Sequence, residues 1–266
     1  MEENSVDIKH RDAIAVLTFT GQGELNLLGP DLILNLHKAL EEIEADTGVR
    51  VVVLRGQGER AFSGGVNVRK MKTFSPKEAE DFILRLHGVM RKIMLLKHPV
   101  VASIVGPCLG GALELVLACD LRIASEDALF GLPEIRVGIP SVIEASLLSR
   151  AIGWNKAREL ILTGDIIDAD ESFRLGLVNR IAPRASMEQK TGDMAKRFLN
   201  LSPLIMSIQK DIMDKWLNLG HDQGAEYSAK AFALCFTTDH PREGMEAFLE
   251  KREPVYQPIH NPIHKS

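Results

Sequence analysis

The segment VVASIVGPCLGGALELVLAC, Val100 to Cys119, limits what this chain can fold into more than any other. Its twenty residues carry a single charge, Glu114. A run of that length could cross a bilayer as a helix. A carboxylate within such a span costs at least ~2.5 kcal/mol. Pro107, Gly110 and Gly111 also break the run in two, and the polar DLRIASED follows at once. A membrane span is therefore rejected. The pieces read as a buried strand, Val100 to Val105, then a turn, then a buried helix from Gly111. Both must be enclosed by protein, and 266 residues can supply that core as one large domain or one domain with an appendage.

The flanking sequence agrees. Two β-rich runs, Val6 to Lys9 and Ala13 to Thr20, are joined by HRD as a hairpin. DLILNLHKALEEIEAD places Leu32, Leu36, Leu40 and Ile43 at helical spacing. VRVVVLRG is a continuous apolar strand. SPKEAEDFILRLHGVMRKIMLL opens with Ser75 as cap, Pro76 at the first helical position and Glu78 closing a capping box. Strands that are apolar throughout and alternate with helices indicate an α/β sheet covered on both faces. After about Ala182 four segments read as helices with no strand signal between them. The expected organisation is a strand-and-helix core over 1–182 and a helical region over 183–266, ending in a loose PIHNPIHKS tail.

Charge and cysteine content exclude other classes. The balance of 32 basic against 36 acidic residues gives no electrostatic case for nucleic acid or an anionic membrane as partner. Cys108, Cys119 and Cys235 are too few and too scattered for a disulfide framework, so a reducing compartment is expected. The opening MEENSVDIKH is acidic and polar, unlike a secretory signal or a transit peptide, and the cytoplasm is the expected location. The eight histidines show no metal spacing, and no metal is expected. His37 and His87 fall within helices, with solvent-facing or packing roles.

Glu114 can be read as a buried acid paired with an Arg or Lys, or as a working group. Gly110-Gly111 lets the backbone approach a ligand closely, and a helix beginning at Gly111 aims free N–H groups and a positive dipole end at it. A desolvated carboxylate beside such donors supplies an oxyanion site with an acid or base. Glu134, in ALFGLPEIRVGIP, lies twenty residues on, far enough for a strand out and a loop back. By itself it reads as a solvated loop acid. Two carboxylates in different settings can hold different protonation states. FSGGVNVRKM adds a second glycine pair, Gly64-Gly65, presenting Val66, or else a simple glycine turn. GQGERA, Gly56 to Ala61, fits a dinucleotide fingerprint, but Gly64-Gly65 interrupts the long helix that site needs. Cys108 reads as a small buried side chain.

FSGGVNVRKM, GPCLGGALELVLACDLRIASEDALFGLPEIRVGIP, LTGDIIDADESFRLGLVNRI and TTDHPREGMEAFLEKR, in that order, resemble the crotonase superfamily, the enoyl-CoA hydratase/isomerase family, from about Ile8 to Arg252. The resemblance implies a crotonase-type spiral of βαβ units with a helical C-terminal region, assembled as a homotrimer or a hexamer. It implies an oxyanion hole from the backbone N–H groups of Val66 and Gly111, with Glu114 and Glu134 as catalytic residues. It implies an acyl-CoA thioester as substrate, held against Glu24, Leu25 and Asn26 and the loop Ser63, Gly64, Gly65, Val66, Asn67 with Gly110. Coenzyme A arrives as part of the substrate, and no separate cofactor is implied. Retention of both glutamates favours hydration of a 2-enoyl-CoA. The alternatives are an isomerase or acyl-CoA hydrolase on the same scaffold, or a family member that only binds.

The sequence departs from the family at Asn67, at Ala112 and above all at PSVIEASLLSR. There Val142 and Ile143 stand where the family has small residues and are expected to reshape the acyl pocket. Glu144 has two readings, a third carboxylate at the site or the N3 partner of Ser141 in a capping box. The box explains both residues at once and is the expectation.

Overall fold

The computed structural model describes residues 3–256. The tail read from the sequence, Pro258 to Ser266, lies outside them. β1 (Ser5–Arg11) and β2 (Ile14–Thr20) form the expected antiparallel hairpin, turning at Asp12 with φ of 55°. α1 (Pro30–Ala45) then crosses to β3 (Val51–Gly56), parallel to β2. A loop through Asn67 leads into the one-turn helix α2 (Val68–Met71). No long helix follows β3 directly, so the dinucleotide pattern at Gly56 to Ala61 has no helix to work with. α3 (Pro76–Leu95) begins with the capping box as read: Ser75 Oγ accepts from Glu78 N, and Glu78 Oε2 accepts from Ser75 N.

β4 (Val100–Ile104), β6 (Leu121–Ser125) and β9 (Arg180–Ala182) complete a sheet of order β1-β2-β3-β4-β6-β9, parallel from β2 onward. Alternate strand residues go to opposite faces. Leu17, Phe19, Val52, Leu54, Ala102 and Ile104 join Leu36 and Leu40 of α1 and Leu86 and Met90 of α3 in the main core. Ile14, Val51, Val53, Val101 and Ile123 meet Met187 and Ala195 of α8 (Met187–Lys196) on the other face. Each large apolar side chain so enclosed stabilises the fold by roughly 1.5–3 kcal/mol. Both faces are dry, which is why these strands lack alternation in sequence.

The sequence read Gly106 to Gly110 as a turn, but the chain forms a short strand there. β5 (Pro107–Leu109), β7 (Leu129–Gly131) and β8 (Ile166–Asp168) make a second, three-stranded sheet. Three-residue strands carry no periodic signal and exist through their pairing. Between them run α4 (Gly111–Leu117) and, after β7, the 3-10 turns Pro133–Val137 and Ile143–Leu147, α5 (Leu148–Ile152) and α6 (Trp154–Thr163). α7 (Ala169–Arg174) precedes β9. Beyond β9 the described residues form helices only: α8, α9 (Pro203–Asn218), α10 (His221–Cys235) and α11 (His240–Glu250). No helix of the described residues is long and apolar enough to cross a membrane.

Candidate active site

The small sheet brings the two glutamates together. β5 and β7 pair in parallel with Leu109 opposite Gly131, and Gly110 N donates to Gly131 O at 2.9 Å. Gly110 and Leu132 therefore leave the sheet side by side, one into α4 and the other into the turn that carries Glu134. The approach is close. A Cβ on Gly110, whose φ is +57°, would lie 2.8 Å from Glu134 Oε1. Glu114 projects from the first turn of α4, which is buried along its whole length. Arg122 fixes the far end of that helix by donating to Val116 O and Cys119 O at 3.0 and 2.9 Å.

The first glycine loop is laced to the same sheet. Ser63 bridges Cys108 in parallel, with Ser63 N to Pro107 O and Leu109 N to Ser63 O both at 3.1 Å. Gly65, at φ +92°, packs so closely that a Cβ would sit 2.7 Å from Leu109 O. Leu28 bonds on both sides of Val66, donating to Gly65 O at 2.8 Å and accepting from Asn67 N at 3.1 Å. In a parallel bridge of this kind the N–H of Val66 itself points to the opposite edge. Gly111 opens α4, so its N–H has no intrahelical acceptor. Neither N–H finds an acceptor among the described residues. The two residues touch: a Cβ on Gly111 would lie 3.5 Å from Val66 Cγ2.

Both glutamates are buried. Burial is the main reason that the Glu114 carboxyl is raised to about 7, with the Ala145 N–H pulling it down and the nearby Glu134 and Glu144 pushing it up. The Ala145 N–H donates to Glu114 Oε1 at 2.8 Å. Burial also raises Glu134, against the hydrogen bond from Ser141 Oγ to its Oε2 at 3.0 Å. An acid raised to about 7 in a dry setting, as Glu114 is, can take up and release a proton at physiological pH.

Comparisons with known proteins give the family. A family model described as enoyl-CoA hydratase/isomerase matches residues 9–258. The chain belongs to the enoyl-CoA hydratase/isomerase family. It is 34% identical over 254 residues to a short-chain-enoyl-CoA hydratase of Clostridium acetobutylicum, covering 95% of this chain and 97% of the relative. It is 33% identical to a crotonyl-CoA hydratase of Syntrophomonas wolfei, covering 95% and 98%. An enoyl-CoA hydratase structure from Bacillus anthracis superposes with a TM-score of 0.89 at 29% identity, covering 95% of this chain and 98% of that one. The crotonase-type α/β fold expected from the sequence is thus the fold of this family member.

The other expected site residues divide by what their side chains do. Asn26, buried at φ 49°, donates to Gln57 O and Ala61 O and accepts from Gly21 N. Ser63 Oγ donates to Asn26 O and accepts from Gly65 N. Asn67 caps α2 and donates to Gln22 Oε1 at 2.5 Å. These three side chains hold the loops in shape. Glu24 is an exposed partner of Arg60, and Leu25 O accepts from Gly64 N at 2.7 Å. Val142 is exposed, while Ile143 packs partly against the core. Cys108 is fully buried and its thiol is raised well above its usual range by that burial, in keeping with a packing role.

Two expectations fail. The capping box at Ser141 does not form: the 3-10 turn starts at Ile143 with Val142 as its cap, and no side chain caps it. The turn begins one residue late for Ser141, whose hydroxyl goes to Glu134. Glu144 is thereby freed to reach α3, where its Oε1 meets His87 Nδ1 at 2.8 Å. His87 is therefore neither merely packed nor simply solvated. Nothing in the sequence around His87 distinguished it, and the S-x-x-E spacing pointed the wrong way for Glu144.

Proposed function

We propose that this protein hydrates a short-chain 2-enoyl-CoA thioester, adding water across its 2,3 double bond. The observation that carries this is the convergence of two buried, proton-affine glutamates on the Gly110-Gly111 corner, beside the free N–H groups of Val66 and Gly111. The thioester oxygen accepts from those two N–H groups, which stabilise the negative charge that develops as the double bond polarises. Glu114 takes a proton from water as the oxygen attacks Cβ. Glu134, lying against the corner that holds the thioester, delivers a proton to Cα. Each turnover leaves Glu114 protonated and Glu134 ionised, and the transfer of one proton restores both. Nothing is oxidised or reduced, so the reaction calls for no cofactor beyond the coenzyme A carried by the substrate. The loop of Leu25, Gly64 and Gly65 supplies the wall for the pantetheine.

Relatives named for short-chain-enoyl-CoA and crotonyl-CoA hydration support a short acyl group. Exposed apolar side chains on α10 and α11, including Phe232, Leu234, Phe248 and Leu249, support burial against further copies in a trimer or hexamer. Three free cysteines support a reducing compartment such as the cytoplasm. The test is mass spectrometry of products from crotonyl-CoA and from a 3-enoyl-CoA. Hydration predicts a product heavier by one water from crotonyl-CoA. A product of unchanged mass from the 3-enoyl substrate alone would replace this reading with isomerisation, and release of free coenzyme A with hydrolysis.

A further inference from the structure

We propose that Glu144 is a positioning residue for Glu114: clamped to His87 of α3, it fixes the 3-10 turn whose Ala145 N–H holds the Glu114 carboxylate. This deepens the hydratase reading and rests on it for its kinetic consequences. The two contacts come from adjacent residues and tie them to different helices, α3 and α4. Glu144 Oε1 reaches His87 Nδ1 at 2.8 Å, and Ala145 N reaches Glu114 Oε1 at 2.8 Å. A tie at one end of this dipeptide therefore sets the geometry at the other. The fixed point is sound, since α3 is a twenty-residue helix with a closed capping box and a buried apolar stripe of Phe82, Leu86, Met90 and Ile93.

The Glu144 side chain is 4% exposed, and its Oε2 is buried with no hydrogen-bond partner among the described residues. An apolar residue would fill the same space without burying an acid, so packing does not explain the choice. Oε2 is out of reach of solvent, so this acid meets its surroundings through Oε1. The charged groups facing Glu144 are His87 and Arg91 from α3 and Glu114 from α4. Arg91 is engaged by Asp214 at 2.6 Å, and Arg150 of α5 is turned to Leu217 O. Among the described residues His87 is thus the one direct clamp. Negative charge on Glu144 also raises the proton affinity of Glu114.

The experiment compares Glu144→Ala, Glu144→Gln, His87→Ala and His87→Asn with wild type. Losing the clamp should lower kcat on crotonyl-CoA by ~10–100-fold in Glu144→Ala and His87→Ala, the scale of a small misplacement at a reacting group, with KM changed by less than about threefold. The double Ala variant should lose no more than either single one, because both break one contact. Glu144→Gln keeps an acceptor for His87 and should recover kcat to within about threefold of wild type. Its low-pH limb should move to lower pH, since a negative neighbour of Glu114 has gone. His87→Asn keeps a donor near Nδ1 and should recover likewise. Crystal structures of the Ala variants should show the Ala145 N to Glu114 Oε1 contact opened beyond its present 2.8 Å. Wild-type kcat in Glu144→Ala, an unchanged contact, or losses that multiply in the double variant would overturn the proposal. If Glu144→Ala does not fold, His87→Ala and Glu144→Gln decide by the same readings. A wild-type protein that hydrates no enoyl-CoA sinks the functional reading, while the crystallographic contact still decides the positioning role.

Discussion

Under α9 buried Lys210 and Asp214 each meet an opposite charge, whereas around the start of α4 three carboxylates are buried and a half-exposed histidine, His87, meets Glu144 alone. Lys210 donates to Asp120 Oδ2 at 2.5 Å and to the carbonyls of His98 and Ile93 at 3.0 and 3.4 Å. Asp214 takes Arg91 at 2.6 Å; burial pushes its carboxyl up, but Arg91 and Lys215 hold it below its ordinary value. Arg122 is spent on three carbonyls. A cavity of about 410 Å³ lies against this cluster, lined by Asp120, Arg122, Lys210 and Asp214 among others, and by neither Glu114 nor Glu134. At the other place Glu114, Glu134 and Glu144 are all raised, and burial is the first cause each time. A buried charge with its full set of partners ties elements together, here α9 to β4 and α3. A buried acid without a cation holds its proton tightly enough to keep it, and trade it, near neutral pH. Cavity size says little about which is which, whereas partner count says a great deal.

The contrast can be broken at three places. Lys210→Met takes the ammonium away from Asp120 and two carbonyls and should cost about 3–5 kcal/mol, the usual result of splitting a buried pair. Urea unfolding should show the lower midpoint, while kcat of the folded protein on crotonyl-CoA stays within about twofold. Loss of kcat with an unchanged midpoint would mean that the paired cluster takes part in the chemistry.

Glu114→Gln and Glu134→Gln should do the reverse. Each should lower the hydration rate by at least ~100-fold, the scale of a lost general acid or base. Neither should lower the unfolding midpoint at pH 8. Full activity in either variant removes that glutamate from the mechanism.

The smallest effect sharpens the comparison through pH. Glu114 is raised to about 7 in the fold from an ordinary value of 4.5, so the folded state binds its proton more tightly than the unfolded chain. Below the unfolded value both states are protonated and the group is neutral towards stability. As pH climbs through the folded value the native protein is left with a desolvated anion. Glu114→Gln should therefore match wild type at pH 4 and exceed it by about 2 kcal/mol at pH 8.5, after allowance for relaxation around the charge. Denaturant melts at the two pH values measure it, and an equal difference at both would deny that Glu114 is desolvated.

The sequence alone determined the layout on which all this rests. Strands apolar on both faces, the Ser75 capping box and the paired glycines have local causes that can be read residue by residue. Glu114 stood out because a lone carboxylate in an apolar run has no local reason to be there. The proposal of Val66 and Gly111 as oxyanion donors came from a family resemblance carried by the motifs around them. Only the tertiary structure decided what Glu134, Glu144 and His87 meet. Glu134 reaches the site because three-residue strands pair with Leu109 opposite Gly131, a register that leaves no periodic trace. Ser141 and Glu144 had the right spacing for a cap, yet a cap is a competition among partners. Another acid and a histidine from a helix more than fifty residues away won it. Hydrogen-bond choice among buried polar groups depends on which partners the rest of the chain brings within about 3 Å, and no local stretch of sequence contains that information.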